Sequence, residues 1–176
     1  MTLPVPLTLR SGEVAVVRIA SLDDAESLLQ HVREVAAEEI YLQIERVDRT
    51  VLEERDWIQK FDSMNSLLLV AACNNRIVGS ADFHRGRQPK SSHVVELGMA
   101  VRRDARRQGL GRAMLREGVE WARSEGVQKL SLQVFATNQP AIGLYRSLGF
   151  EVEGRLRGHV VLRGNPDDLL LMSLWL

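Results

Sequence analysis

The chain has 176 residues, 45% of them hydrophobic and 26% charged, with 23 basic side chains balanced by 23 acidic ones. That is length enough for one domain with a sizeable core, and the zero formal charge argues against nucleic acid as the main partner, which calls for a basic excess or stripe. Cys73 is the only cysteine, which excludes an intrachain disulfide and a multi-cysteine zinc site and points to a reducing, cytoplasmic setting.

Neither end reads as a membrane or targeting segment. The N-terminal stretch lacks the basic start and long apolar core of a signal peptide, and LLLMSLWL at 169–176 is too short to span a bilayer. Residues 1–13 are expected to form a loose lead-in, and 14–176 a single domain.

In chain order, VAVVRIA (14–20) predicts a first strand. Ser21 with Asp24, and later Thr50 with Glu53, have the spacing of a helix-capping box, so two helices are expected to start there. Between them YLQIERVD (41–48) fits either a loop near a substrate site or a continuation of the helix. Two apolar runs over 66–83, divided by Asn74–Asn75, predict a β-hairpin. A polar loop, RGRQPKSS, leads to a strand at 93–101, where alternation sets Val94, Glu96 and Gly98 on one face and Val95, Leu97 and Met99 on the other. A bulge in this strand would change the register that follows it. An amphipathic helix over 109–126 carries Leu110, Met114, Val119 and Trp121–Ala122 at roughly helical spacing, and Gly126 stops it. Then come a strand (KLSLQVFA), a short helix closed by Gly149, a strand (FEVEGRLRG), and a last arm in VVLRGNPDDLLLMSLWL. The class is α/β, mixed, with several antiparallel connections.

The segment RRDARRQGLGRAML (102–115) concentrates Arg102, Arg103, Arg106, Arg107 and Arg112 around two glycines at a helix start. It is neither a dinucleotide fingerprint, because Met114 stands where the third glycine belongs, nor a P-loop. Glycines that allow a tight turn, open amides at a helix N-terminus and nearby guanidinium groups still form a grip for phosphate. A solvated basic face is the other reading of this pattern taken alone.

Two motifs together resemble the GNAT superfamily of N-acetyltransferases. Arg106-Arg107-Gln108-Gly109-Leu110-Gly111 matches its acetyl-CoA signature [Q/R]-x-x-G-x-[G/A], and NQPAIGLYRSLGFEVEG (138–154) is similar to its second signature. The resemblance covers about residues 16 to 176, with a weaker likeness to small bacterial enzymes that acetylate amino acids or related amines. It implies a mixed, mostly antiparallel central sheet flanked by helices, whose fourth and fifth strands are parallel and splay apart around pantetheine. It also implies acetyl-CoA as cosubstrate, bound by Met99, Ala100 and Val101, by the turn Arg106, Arg107, Gln108, Gly109, Leu110, Gly111 and Arg112, and by Asn138, itself a good helix cap by residue type. Tyr145 becomes the acid that protonates the leaving thiolate, with ring packing as its other role, and Glu96 the candidate base.

The acceptor is expected to be a small primary amine, an amino acid included. Acetylation of a peptide or protein N-terminus, and an acyl-CoA-binding regulatory protein without turnover, are the alternatives. Segments 31–50, 84–93 and 155–168 are expected to shape its pocket, with Glu38, Glu39 and Glu45 facing an amine or simply solvent, and Arg85 and Arg87 facing a carboxylate. His84 and His93 flank the polar loop and read either as proton acceptors near neutral pH or, chiefly, as surface or strand-end residues; His159 has no motif support, and Cys73 reads as a packed thiol. A homodimer is expected from the family, with Trp57, Trp121 and Trp175 as interface or core residues.

Overall fold

The computed structural model describes residues 3–44, 46–62 and 64–176. Eight strands form one sheet in the order β1-β2-β3-β4-β5-β6-β8-β7. They are β1 (Val5–Thr8), β2 (Val14–Ile19), β3 (Ser66–Cys73), β4 (Arg76–Arg85), β5 (Val94–Val101), β6 (Lys129–Phe135), β7 (Glu151–Leu162) and β8 (Asn165–Trp175). Four helices accompany them: α1 (Ala25–Ala36), α2 (Val51–Ile58), α3 (Leu110–Ser124) and α4 (Gln139–Arg146).

Local chemistry explains most of these boundaries. Both capping boxes form: Ser21 and Asp24 open a single turn of 3-10 helix that runs into α1, and Thr50 Oγ1 accepts from the Glu53 amide at the start of α2. Asn74 and Asn75 both take positive φ, 48° and 61°, as a tight turn between two twisted strands requires. Arg163 and Gly164 do the same between β7 and β8. Val160–Leu162 therefore extends β7 instead of opening the last arm, as the sequence reading had it. The lead-in is also more ordered than expected. Val5–Thr8 pairs antiparallel with β2, and Leu3, Val5 and Leu7 pack on the main core.

The parallel pair that the resemblance implied is β5 and β6, one place later in the count because β1 precedes the rest. Their pairing covers three rows only, from Val94↔Lys129 to Glu96↔Ser131. Beyond that row β6 continues along β8 as far as Phe135↔Leu169, while β5 turns away with β4. The strands part there, and the remainder of β5 has no strand on that side. Register between β4 and β5 runs unbroken from Gly79↔Val101 to Arg85↔Val95, so the anticipated bulge in β5 is absent. Alternation accordingly holds at the fork: Val95 and Leu97 are buried and Glu96 is exposed.

Helix α3 packs on one face of the sheet through Leu110, Met114, Leu115 and Trp121 against Phe83, Leu67 and Leu69. On the other face, Ala25 and Leu28 of α1 and Ile58 of α2 close over Leu68, Val70 and Ile77. Of the three tryptophans, Trp121 belongs to the core, Trp57 packs partly on the second cluster, and Trp175 is 62% exposed beneath the Lys129 ammonium. No helix among the described residues is long and apolar enough to cross a membrane.

Candidate functional site

The fork opens into a cavity of about 1200 Å³ bounded by β5, the turn before α3, β6 and α4. Two open backbone surfaces face it. One is the outer half of β5, Leu97 to Val101, which β6 has left. The other is the start of α3, where the first intrahelical bond runs from the Ala113 amide to the Gly109 carbonyl, so the amides before it have no partner in the helix. The turn into this helix folds back sharply, with Arg107 at φ 61° and Gly109 at φ 91°. Gly109 is the N-cap and has no side chain to satisfy those amides. They and the helix dipole remain directed toward an anion. Gly111 has a second reason to lack a Cβ, which would stand 3.0 Å from Leu144 and 3.4 Å from Met99.

Nearly all of the residues singled out in the sequence line this one cavity: Met99, Ala100, Val101, Arg106, Arg107, Gly109, Leu110, Gly111, Arg112, Asn138, Tyr145 and Glu96. Gln108 does not. Its side chain turns away to accept from the Arg10 amide at 2.7 Å and to donate to the Asp104 carbonyl at 3.0 Å, tying the turn to the lead-in. Arg106 lines the cavity with its guanidinium already committed. It donates to the Val101 carbonyl at 2.8 Å, forms a two-pronged pair with Glu38, and lies 4.2 Å above the Tyr41 ring. Arg112 reaches Ser147 Oγ at 2.7 Å, and Asn138 caps α4 by accepting from the Ala141 amide.

Tyr145 is 5% exposed, with its ring 5.7 Å from Phe150. Burial, reinforced by the charge of Asp82, pushes its phenol far above the ordinary range and keeps it protonated. Glu96 stands on the face of β5 toward α1 and α2, with Asp82 and His84 of β4 beside it along the cavity wall. Asp82 was missed in the sequence. Its only visible signal was its place two residues before His84 on a strand, at the same face.

Other expectations are redistributed. Residues 41–44 and 46–48 are neither helix nor strand, and Tyr41, Leu42 and Gln43 line the cavity, where Gln43 crosses to Gln133 of β6 at 3.0 Å. Glu38 is spent on Arg106, Glu39 takes a left-handed turn, and Glu45 lies outside the described residues. Arg85 does not face an acceptor: it donates to the Glu125 carbonyl at the end of α3, and Arg87 is an exposed loop residue away from the cavity. His93 and His159 also lie away from the lining, His159 on the exposed part of β7. The β7–β8 hairpin supplies no lining residue, although Arg163 at its turn donates to the Glu38 carbonyl at 2.8 Å. Cys73 is buried at the end of β3, where burial raises its thiol above the usual range.

Residues 32–150 match the family model for the acetyltransferase (GNAT) family, a stretch that contains the fork, the turn and α4. The chain belongs to the GNAT family. Among characterised GNAT relatives, it is 32% identical over 109 residues to the L-amino acid N-acetyltransferase AaaT of Escherichia coli, covering 60% of this chain and 65% of that protein. It is 40% identical over 76 residues to the ribosomal protein bS18-alanine N-acetyltransferase of Escherichia coli, covering 43% of this chain and 51% of that one. The chain thus spans half to two thirds of the length of these relatives. A GNAT acetyltransferase structure from Streptococcus pneumoniae superposes with a TM-score of 0.87 at 26% identity, over 92% of this chain and 99% of the other.

Proposed function

We propose that this GNAT protein is an acetyl-CoA-dependent N-acetyltransferase that acts on the primary amine of a small molecule, amino acids included. The observation that carries the reading is the continuity of the fork: the unpaired half of β5, the open helix amides and the protonated Tyr145 all face one cavity. A pantetheine arm, extended and rich in amide groups, fits a strand edge left without a partner. A pyrophosphate fits uncapped amides at a helix N-terminus with Arg107 and Arg112 beside them.

Acetyl transfer by direct attack requires a deprotonated amine, a polarised thioester carbonyl and a proton for the departing thiolate. In this reading Tyr145 gives that proton. Glu96 stands on the side of the fork that faces α1 and α2, where its carboxylate draws in an ammonium group and is the candidate base. Among the described lining residues, the side facing α1 and α2 has carboxylates and amides but no free guanidinium. An acceptor carboxylate is therefore not required for binding. The amino-acid end of the class is supported by the likeness to AaaT, and a second reading, acetylation of a peptide N-terminus, by the 40% identity to the bS18-alanine enzyme.

The test is mass spectrometry of products formed from acetyl-CoA with a panel of amino acids, polyamines, small amines and short peptides. A product heavier by one acetyl group on a small amine is the expected outcome. Acetylation of the peptides alone would replace the small-molecule reading by the second one. Tight acetyl-CoA binding without product from any acceptor would favour a regulatory role for the cavity.

A further inference from the structure

We propose that Asp82 binds the ammonium group of the acceptor and that His84, paired with it, takes the proton this group must lose. The inference rests on the transferase reading above and adds two residues to it.

Asp82 lies directly across from Gly98 of β5, in the part of the fork that β6 has left. A Cβ on residue 98 would stand 2.9 and 3.2 Å from the two carboxylate oxygens of Asp82. The missing side chain is what lets this carboxylate lie against the β5 backbone at the cavity wall. Two rows along, at the last row that β6 still pairs, His84 is the cross-strand partner of Glu96, and its Nε2 lies 3.1 Å from Asp82 Oδ2. The imidazole also meets the Phe61 ring at 5.0 Å, and Ser66 is its partner on β3.

The charge balance leaves a place for a cation. Asp82 and Glu96 face the same opening, and among the described residues His84 is the only basic group in ion-pair reach of Asp82. Of the guanidinium groups in the lining, that of Arg106 is bound to Glu38. The charge of Asp82 acts on the buried Tyr145 phenol, and its carboxylate pairs with the exposed His84 imidazole. An ammonium held by Asp82 is thereby placed next to the His84 imidazole.

The proton accounting closes. The acceptor R–NH₃⁺ gives one proton to His84, and the freed lone pair attacks the thioester carbonyl carbon. As the C–S bond breaks, the thiolate takes the Tyr145 proton. The second proton lost from nitrogen restores Tyr145, and His84 releases the first to solvent. One proton is released for each amide formed.

Steady-state kinetics with the best acceptor of the panel, for wild type and for Asp82→Asn, His84→Gln and Gly98→Ala, together with calorimetric titration of acetyl-CoA, test this. Asp82→Asn is expected to lower kcat/KM for the amine about 100-fold, with a raised amine KM and unchanged acetyl-CoA affinity. His84→Gln is expected to lower kcat more than it raises the amine KM. Gly98→Ala keeps the carboxylate but displaces it, and is expected to reproduce the raised amine KM, which keeps the idea testable if Asp82→Asn does not fold. Wild-type amine KM in Asp82→Asn and Gly98→Ala would overturn the inference alone. No transfer by the wild-type protein to any amine would overturn the transferase reading and the inference with it.

Discussion

The Tyr145 ring packs near Phe150 in the cavity wall, and burial followed by the charge of Asp82 keeps its hydroxyl protonated. Replacement by phenylalanine retains the ring and removes only the proton. Tyr145→Phe is expected to bind acetyl-CoA as tightly as wild type by calorimetry and to turn over about 100-fold more slowly; an equally fast variant would show that the ring alone matters. Tyr145 was legible because it stands inside a contiguous motif. Asp82 was not, because what gives it a role is the empty position at Gly98 on the neighbouring strand. Arg106 is the opposite case: a guanidinium in a phosphate-gripping pattern whose partner, Glu38, comes from the loop after α1.

At the scale of elements, hydrogen-bonding chemistry within a few residues decided what was legible. The two capping boxes, the Asn-Asn turn and the glycine stops at 126 and 149 are satisfied locally, and all stand where the spacing predicts. The lead-in was harder to read because β1 is short and owes its order to β2 and to the core beneath it. Helix α3 shows how packing constrains one position more tightly than periodicity does. Gly118 faces the sheet, and a Cβ there would fall 2.0 Å from the Phe83 ring, which itself lies 6.0 Å from Trp121. The intrinsic helix gain of alanine over glycine is about 1 kcal/mol. Displacing a fully buried aromatic ring costs more, and Gly118→Ala is expected to lose about 1–3 kcal/mol in urea unfolding despite that gain.

Over the whole molecule, the seam between α1 and the sheet carries a buried histidine that the transfer chemistry does not use. His31 is fully buried, with Nε2 3.2 Å from Ser80 Oγ. Burial first, then the charge of Arg102, lowers its pKa to about 4 from the ordinary 6.5, with Glu34 partly opposing. The folded state holds the imidazole neutral where the unfolded chain protonates it, so unfolding takes up a proton between those two values. Stability from this group is complete above pH 6.5, declines as the pH falls, and has gone by about pH 4. The loss amounts to about 3 kcal/mol across the window. Urea midpoints measured from pH 7.5 to 4.5 should fall more steeply for wild type than for His31→Asn, and parallel curves would show that other groups govern acid unfolding.

The sequence by itself determined the class of fold, the order of nearly all elements, the turn before α3 and the family, because these depend on hydrophobic period, turn chemistry and contiguous motifs. Tertiary structure alone decided how the charges are shared out. It set where β5 and β6 part, sent Arg85 to the end of α3 and Arg106 to Glu38, and brought Asp82, His84 and Glu96 to one wall. Ion pairs form between whichever side chains the fold makes neighbours, and in the chain Arg106 and Glu38 are separated by a helix and whole strands.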